Sequence, residues 1–241
     1  MRKVSGFTIV RNAVRLSYPF LESVRSALPL CDEFFINCGV SDDSTRELCA
    51  LLEKENPDKV RILYTVWETQ SQAGGFQLKS QSDRALAACQ GRWCLYLQAD
   101  EVFHEKDYPA IRHAMGQAES RPDIDGLVFE YRHFYGSYAY EIQGRNWYRR
   151  EVRLFKNGRG IEAFRDAQGF RKNGERLKVF PANARVFHYG YVRTPHSLGT
   201  KANEMVRWWG EKATDSPADV QLHRHVGLSL YRGTHPKVMA A

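Results

Sequence analysis

The sequence lacks a long apolar run and lacks the short motifs of the commonest nucleotide-binding and hydrolytic folds. Without a run of about eighteen apolar residues, we expect no membrane span. No GxGxxG follows the first strand-like segment, which disfavours a nicotinamide-binding fold, and there is no GxxxxGKS or GxxxxGKT phosphate loop. The absence of GxSxG removes the usual nucleophile elbow of serine hydrolases.

Cysteine is scarce and irregularly spaced. The five cysteines show no CxxC pair, which disfavours a zinc site, and we expect buried, reduced thiols. Met1 leads into a strand-like segment rather than an apolar signal core, so we expect a cytoplasmic protein. No internal repeat or low-complexity segment is present.

Basic residues outnumber acidic ones, 35 to 28, which gives a net charge of +7 and a pI of about 9.2. This balance favours anionic partners such as phosphorylated sugars or an acidic membrane surface. Because the basic residues are scattered rather than gathered in one tract, we expect no nucleic-acid partner.

The first half alternates strand-like and helix-like segments, which predicts a largely parallel α/β sheet with right-handed crossovers. The strand-like segments are 6–10, 33–38, 60–66 and 93–97, and the helix-like ones are 18–28, a segment through 48–52, and 77–89. Ser44 or Asp43 is the expected N-cap of the second helix. Ligands bind beyond the carboxyl ends of such strands, so the polar segments there are candidate sites.

The second half has a different pattern. We predict a helix at 108–118, strands at 126–131, 152–155, 177–180 and 184–188, a long helix at 197–212, and a loop-rich tail. It is expected to extend the same domain rather than form an independent one.

Asp100 and Glu101 directly follow the apolar strand 93–97. Carboxylates at such a strand end are costly to desolvate unless a cation is present, and a hard divalent ion bridging diphosphate oxygens would supply it. The alternative is a solvated acidic pair that caps the next helix. A strand-end His188 could complete a metal site with Asp100, or be a structural histidine. Arg11, Asn12, Lys79 and Arg193 could hold phosphate or ribose, or be surface and capping residues.

Five ordered segments resemble family-two glycosyltransferases of the GT-A fold. They are Phe7 to Asn12, Ser41 to Thr45, Ala85 to Glu101, Tyr148 to Phe155, and His188 to Gly190. The more particular segments 133–136, 166–171 and 188–193 resemble a bacterial subgroup. The resemblance implies a single GT-A domain, with a nucleotide-sugar-binding half at 1–106, a smaller acceptor-side half at 107–214 and a tail at 215–241.

The resemblance also implies inverting transfer from a nucleotide-diphosphate sugar with Mn²⁺ or Mg²⁺. Asp100 and His188 match metal-binding residues, with Glu101 as a further candidate ligand. The residues expected to bind the donor are Val10, Arg11, Asn12, Asn37, Gly39, Asp43, Lys79, Asp83, Gln98, Ala99 and Asp100. Gln98 occupies the first acidic position of the DxD motif and brings no charge, which puts the metal dependence in question. The position of the usual uracil-contacting Asp is Cys38, so Asn37 or the backbone is expected to read the base.

The catalytic base is expected to be Asp166, followed by Glu151 and Glu130, because an inverting transferase needs a carboxylate at the acceptor hydroxyl. Asp166 could instead be a turn residue. The expected acceptor-binding residues are Trp147, Tyr148, Tyr135 and Arg193. These aromatic rings, with Phe134, could stack on sugars or form a core cluster.

The expected function is transfer to a glycan or lipid-linked acceptor in bacterial envelope polysaccharide synthesis. The alternatives are a nucleotidyltransferase on a similar sheet, or a sugar-nucleotide-binding module without turnover. Residues 206–209, with Lys212, could touch a membrane interface, or belong to a helix packed on the core.

Overall fold

A computed structural model describes residues 3–67, 75–145, 147–193 and 227–240. The first half consists of β1 (Val4–Val10), α1 (Phe20–Ala27), β2 (Glu33–Gly39), α2 (Thr45–Glu55), β3 (Val60–Thr65), α3 (Phe76–Ala87) and β4 (Trp93–Tyr96). These four strands are parallel in the order β3-β2-β1-β4, as the alternating pattern predicts. The carboxyl ends of β1 and β4 therefore meet at one edge of the sheet.

The second half continues the same sheet. It consists of β5 (Glu101–Phe103), α4 (Tyr108–Glu119), β6 (Gly126–Tyr135), β7 (Tyr140–Ile142), β8 (Arg150–Lys156), β9 (Ile161–Phe164), β10 (Gly169–Lys172), β11 (Glu175–Arg176), β12 (Val179–Tyr191) and β13 (Leu228–Leu230). Within the described ranges, short 3-10 helices lie at Leu28–Leu30, Glu105–Asp107 and Lys237–Ala240. Strand β8 lies between β4 and β6 and is antiparallel to both, while β9, β10 and β11 form a small separate sheet. The predicted mixed α/β fold is confirmed.

Strand β12 differs from the prediction of two separate strands. It is one strand of 13 residues, with a register shift between Pro181 and Arg185 where Asn183 has a φ of 52°. A single residue in the left-handed region lets the ladder resume after the irregularity. Beyond it, β12 pairs in parallel with β6 and antiparallel with β5, so that His188 lies opposite both His133 and Glu101.

Three buried clusters hold the sheet and its helices together. The largest packs α1 and α4 on one face of the sheet, around Phe20, Phe34 and Leu127. The second lies on the other side, under β9 and β10, and the third joins Phe134 on β6 with Phe187 on β12. All five cysteines are buried and free, as predicted.

Two predictions concern segments outside the described residues: the helix at 197–212 and the membrane contact of 206–209. Within the described ranges, no helix combines the length and the apolarity that a membrane crossing requires. The expected loop-rich tail contains strand β13, which pairs antiparallel with β7.

Candidate functional site

Asp100 lies in the short connection between β4 and β5, at the ligand edge of the parallel strands. Its side chain is buried, and the residue is only 6% exposed. Its carbonyl oxygen accepts a hydrogen bond from the Tyr189 amide at 2.9 Å, which fixes the connection against the end of β12. The carboxylate oxygen Oδ2 lies 3.6 Å from Nε2 of His188. The structure thus brings together the two predicted metal ligands from residues 88 positions apart in the chain.

His188 is the middle member of a chain of polar contacts. Its Nδ1 lies 3.0 Å from Nδ1 of His133, and Nε2 of His133 lies 2.7 Å from the Tyr148 carbonyl oxygen. A carbonyl only accepts, so His133 carries its proton on Nε2. Burial and the neighbouring His188 lower the pKa of His133 to about 3, so its Nδ1 is a bare acceptor at neutral pH. Consequently His188 donates from Nδ1 and its Nε2 faces Asp100.

With Nδ1 directed to His133, the second ring nitrogen of His188, Nε2, lies 3.6 Å from a carboxylate oxygen of Asp100. A proton or a cation can bridge two such atoms. An imidazole nitrogen and a carboxylate oxygen are ligands that Mn²⁺ accepts. Among the described residues, no group of three or more His, Cys, Asp or Glu side chains is placed to hold a metal. Asp100 and His188 alone fit an ion whose other ligands are water and phosphate oxygens, an arrangement typical of divalent ions at phosphate-bearing substrates.

Glu101 was predicted as a further metal ligand, and in the structure its contacts are with protein groups. Its carboxylate is fully buried and receives two hydrogen bonds from Arg153, each at 2.7 Å. Tyr131 donates to its Oε1 at 2.8 Å and the Gln98 amide donates to its Oε2 at 3.1 Å. All four acceptor positions of Glu101 are therefore occupied. The carboxylate holds Arg153 and the strand end of β4 in place rather than a cation.

Aromatic side chains surround the two histidines. The ring of Trp147 lies 5.0 Å from that of His133 and 4.8 Å from that of Tyr191. Tyr148 packs edge-on against His133 at 4.6 Å, and Tyr135 lies 6.1 Å from Tyr191. Two predicted acceptor-binding aromatics, Trp147 and Tyr148, thus adjoin His133, and the third, Tyr135, contacts Trp147 and Tyr191. Phe134 does not, because alternation along β6 places it in the third core cluster on the opposite face.

The loop between β9 and β10 brings two predicted catalytic carboxylates together. Gln168 joins them: its amide donates to Asp166 at 3.3 Å and its side chain donates to Glu151 at 3.0 Å. Burial raises the pKa of both carboxyls above their ordinary values. The loop lies against the end of β4, since the side chain of Gln98 donates to the Ala167 carbonyl at 3.4 Å.

Glu130, the third predicted catalytic carboxylate, does not lie with these two carboxylates. It alternates with Tyr131 along β6 and therefore points to the opposite face from the histidines. Its carboxylate is half exposed and pairs with Arg150 at 3.6 Å and with Arg185 at 3.3 Å.

Gly75 begins α3 with a φ of 76° and lies against Asp166. A Cβ at this position would lie 2.7 Å from the Asp166 Cβ and 2.8 Å from its Cα. We expect Gly75→Ala to reduce the free energy of unfolding by about 1–3 kcal/mol, because alanine must adopt a left-handed backbone and displace the 165–168 loop. Urea denaturation measures this. The control Gly116→Ala lies within α4 with no atom within 4 Å of the new Cβ, and should match or exceed the parent in stability.

Two buried polar groups at the loop after β1 lack partners. Asn12 has a φ of 52° and its Oδ1 accepts from the Asp42 amide at 2.9 Å, but its Nδ2 has no hydrogen-bond partner among the described residues. Arg193, only 7% exposed, packs its guanidinium 4.7 Å from the ring of Tyr18 and donates from Nε to the Gly190 carbonyl. Its Nη1 and Nη2 are buried, and the described part of the chain offers them no acceptor. Leaving such donors unpaired is costly, so an acceptor-rich ligand is expected here.

Arg193 is therefore placed differently from its prediction as an acceptor-binding residue. It contacts the loop that follows β1, on the side where the donor-binding segments were expected. Arg11 lies in the same loop and donates from Nε to the Val40 carbonyl at 2.9 Å. Gly39 ends β2 and leaves room for the Trp67 ring, which a Cβ would meet at 2.7 Å.

Other predicted donor-binding residues are engaged within the protein. Both Nδ2 protons of Asn37 are donated to Gln81, and its Oδ1 accepts from Thr65 at 2.6 Å, so it is not free to read a base. Of the two predicted caps, Ser44 is the N-cap residue of α2, and it makes no side-chain capping hydrogen bond. Asp43 accepts hydrogen bonds from the amide and the hydroxyl of Thr45, the first residue of the helix, and its predicted contact with the donor stays a prediction.

Lys79 and Asp83 also have structural partners. Lys79 lies 2.7 Å from Asp83 and 2.8 Å from Glu162, and Asp83 accepts from the Ala163 amide, so these residues join α3 to β9. The side chains of Val10 and Ala99 are buried in the largest core cluster, where only their backbone could meet a ligand. The predicted role of these four residues in donor binding stays a prediction.

Sequence reasoning missed the roles of His133, Arg153 and Gln168. The available signal was that His133 and His188 each lie near the end of a strand-like segment and are followed by aromatic residues. Arg153 lies on the same face of β8 as Phe155, and both side chains are buried. A charged residue at an inward position of a strand indicates a buried partner.

The sequence matches no protein-family model and no curated protein. Among solved structures, S. aureus TarS superposes with a TM-score of 0.50 at 12% identity, covering 85% of this chain and 40% of that chain. A mannosyltransferase from Pyrobaculum calidifontis, in complex with GDP-Man and Mn²⁺, has a TM-score of 0.49 at 13% identity, covering 90% and 68%. The chain spans 37% of a TarS chain solved with UDP and 36% of one solved with UDP-GlcNAc. At these identities the likeness is one of fold, and the fold is that of the GT-A type, as predicted.

Proposed function

We propose that this protein transfers a sugar from a nucleoside-diphosphate sugar to an acceptor hydroxyl. The observation that carries the proposal is the contact of Asp100 with His188, held by His133, at the carboxyl edge of parallel strands. Buried donors on Asn12 and Arg193, which have no hydrogen-bond partner among the residues that the structure describes, adjoin the same edge of the sheet. TarS, which has a similar fold, has been solved with UDP and with UDP-GlcNAc. From TarS we adopt only the class of ligand, a nucleoside-diphosphate sugar.

On the donor side, the residues compensate the charge of a diphosphate. Asp100 and His188 would hold a divalent cation, and Arg193 would donate hydrogen bonds to phosphate oxygens from Nη1 and Nη2. When bound, the cation stabilises the charge that develops on the leaving diphosphate. Gln98 places an amide near Asp100 where a second carboxylate would otherwise lie. The protein would therefore supply two metal ligands, Asp100 and His188.

On the acceptor side, Asp166 accepts the proton of the attacking hydroxyl. The hydroxyl oxygen forms a bond to the anomeric carbon as the bond from that carbon to the diphosphate breaks, and the configuration inverts. Trp147 and Tyr148 are both partly exposed beside His133, and they offer ring surfaces on which a sugar stacks. Glu151 shares Gln168 with Asp166 and is the second carboxylate in reach of this region.

The acceptor class follows from charge and from the sequence resemblance. The net charge of +7 favours anionic partners, and we propose a glycan or lipid-linked acceptor of bacterial envelope synthesis. The protein would act in the cytoplasm, with peripheral contact at the inner membrane surface.

A nucleotide-sugar panel tests the proposal. Hydrolysis and transfer are measured for UDP-, GDP- and dTDP-sugars, with Mn²⁺ and with EDTA. We expect release of one nucleoside diphosphate and loss of turnover in EDTA. Tight nucleotide binding without turnover for any donor would instead identify a binding module, and release of inorganic pyrophosphate would identify a nucleotidyltransferase.

The pH dependence of transfer should report Asp166. Its raised pKa predicts that kcat/KM falls on acidification at a pH above that of an ordinary aspartate. Asp166→Asn should lower kcat/KM by about 10²–10⁴-fold and remove this acid limb, whereas Glu151→Gln should keep it.

The same pKa shift has the opposite sense for stability. A carboxyl whose pKa is raised on folding contributes stability below its unfolded pKa, and this contribution is lost as the pH rises through the folded pKa. Asp166 therefore does not cause unfolding in acid. Circular dichroism at each pH separates loss of activity from loss of fold. An acid limb that persists unchanged in Asp166→Asn would exclude Asp166 as the base.

A further inference from the structure

A cavity of about 520 Å³ lies outside the candidate site, between the C-terminal segment and strands β6, β7 and β12. We call it the rear cavity. Arg132 and Phe187 line it, whereas the adjacent His133 and His188 point to the other face of the same two strands. The rear cavity and the candidate site are thus separated by the thickness of one sheet.

The lining of the rear cavity is rich in cations. It contains four basic and two acidic side chains: Lys106, Arg132, Arg185, Arg232, Asp107 and Glu141. Both carboxylates are already engaged within the protein. Glu141 pairs with Arg132, and Asp107 accepts from the backbone amide of Arg185 at 2.8 Å. In the described part of the chain, no carboxylate lies within ion-pair distance of Lys106 or Arg232.

Thr234 is exposed at the rear cavity, and its hydroxyl group contacts two side chains of the turn after β5. Nε2 of His104 lies 3.0 Å from the hydroxyl oxygen, and Nδ1 of the same ring accepts the Lys106 amide at 3.2 Å and lies 3.3 Å from a carboxylate oxygen of Glu105. The ammonium group of Lys106 donates to the Thr234 hydroxyl oxygen at 2.8 Å. Because Thr234 is exposed, its own hydroxyl proton can be donated to water or to a bound ligand.

Arg132 supplies a further donor of this kind. Its guanidinium packs 4.8 Å from the ring of Tyr231, and its Nε is buried with no partner within the described ranges. The buried Nε of Arg132 on β6 and the exposed cations Lys106, in the turn after β5, and Arg232, in the C-terminal segment, therefore line the same cavity. A ligand that offers several negatively charged oxygens would satisfy all of them at once.

We infer that the rear cavity binds a phosphate-type anion. The ligand offers oxygens to Lys106, Arg232 and the Thr234 hydroxyl, and it contacts strands β6 and β12 from the face opposite the histidines. Arg and Lys together suit a phosphate group, since a guanidinium donates in a planar fork and an ammonium acts as a compact charge. This site is separate from the proposed donor site and does not depend on it.

Isothermal titration of the full chain with inorganic pyrophosphate in EDTA tests the site. We expect saturable binding, and we expect the double variant Lys106→Gln/Arg232→Gln to raise the Kd by about tenfold for each charge removed. Thr234→Val, which keeps the shape of the side chain, should raise the Kd by about three- to tenfold. This variant tests the site even if the double variant does not fold. The control Lys54→Gln/Arg176→Gln removes the same charge from exposed positions on α2 and β11 and should bind like the parent.

Arg193→Gln separates the rear cavity from the donor site. If pyrophosphate binds in the rear cavity, this variant keeps the parent Kd. Weakened binding in Arg193→Gln together with an unchanged Kd in the double variant would place the anion at the donor site and overturn the inference. So would an absence of binding to the parent, or equal weakening in the Lys54/Arg176 control.

Vesicles identify the source of the anion. Sedimentation with phosphatidic acid in phosphatidylcholine vesicles, lost in the Lys106/Arg232 variant, indicates a lipid headgroup. Saturable pyrophosphate binding without such sedimentation indicates a free anion. Sedimentation that the Lys106/Arg232 variant retains in full, without pyrophosphate binding, contradicts the site.

Discussion

Asp100→Asn is expected to lower kcat/KM for sugar transfer by about 10²–10³-fold, with little change in fold. The amide keeps the shape of the side chain but removes the charge that, with His188, would hold the cation at the leaving diphosphate. Initial rates with the donor selected from the panel measure the effect. Asp123→Asn is the matched control, because Asp123 is exposed and pairs only with the exposed Arg121 at 3.5 Å. It should keep the parent rate.

A double variant tests whether Asp100 and His188 act as one unit. If they hold the same ion, Asp100→Asn/His188→Gln should be no slower than Asp100→Asn alone, because the first change already removes the shared ion. Multiplicative losses would show that the two residues act separately. A parent-like rate in Asp100→Asn would exclude a catalytic role for this carboxylate.

Arg153→Met is expected to reduce the free energy of unfolding by about 3–5 kcal/mol. Arg153 and Glu101 are both fully buried, and they share two hydrogen bonds of 2.7 Å. Removing the guanidinium leaves a buried carboxylate with only Tyr131 and the Gln98 amide as donors. Equilibrium urea denaturation gives the difference.

Two further variants show whether this loss comes from the unpaired charge. Glu101→Gln/Arg153→Met removes both charges and should be more stable than Arg153→Met alone. Arg150 lies on the same strand as Arg153, and Arg150→Met breaks an exposed ion pair with Glu130 on β6. This change should reduce the free energy of unfolding by about 1 kcal/mol or less. Equal losses in Arg150→Met and Arg153→Met would contradict a buried-charge penalty.

The parallel half of the fold could be predicted from the sequence because its information is local. Each of the strands β1 to β4 is a short apolar run, and the segments between them carry apolar residues at helical spacing. The position of Asp100 follows directly from this pattern, because it comes just after the last of these strands. Its contact with His188 does not follow from local pattern.

The rest of the site depends on pairing between distant strands. His133 and His188 meet because β6 and β12 pair in parallel with these residues in register, across 55 positions of the chain. No periodicity within either segment specifies that pairing or its register. The irregularity at Asn183 merges two predicted strands into one, which pattern reading cannot anticipate.

Glu101 shows how adjacency in sequence misleads. Asp100 was predicted as a metal ligand, with Glu101 as a further candidate, because both directly follow the apolar strand 93–97. Glu101 is the first residue of β5, however, and its side chain turns inward to Arg153, while Asp100 stays in the connection and faces His188. The inward position of Arg153 on β8 was the sequence feature that could have indicated a buried partner for one of them.

The central claim is that Asp100 and His188 hold one divalent ion at the diphosphate of the donor. The most direct measurement is an anomalous difference map from crystals grown with MnCl₂ and the nucleoside diphosphate of the preferred donor. We predict a manganese peak within about 2.5 Å of both Asp100 Oδ2 and His188 Nε2, with phosphate oxygens among its other ligands. A bound nucleotide with no peak between these two side chains, or with manganese held elsewhere, would contradict the account.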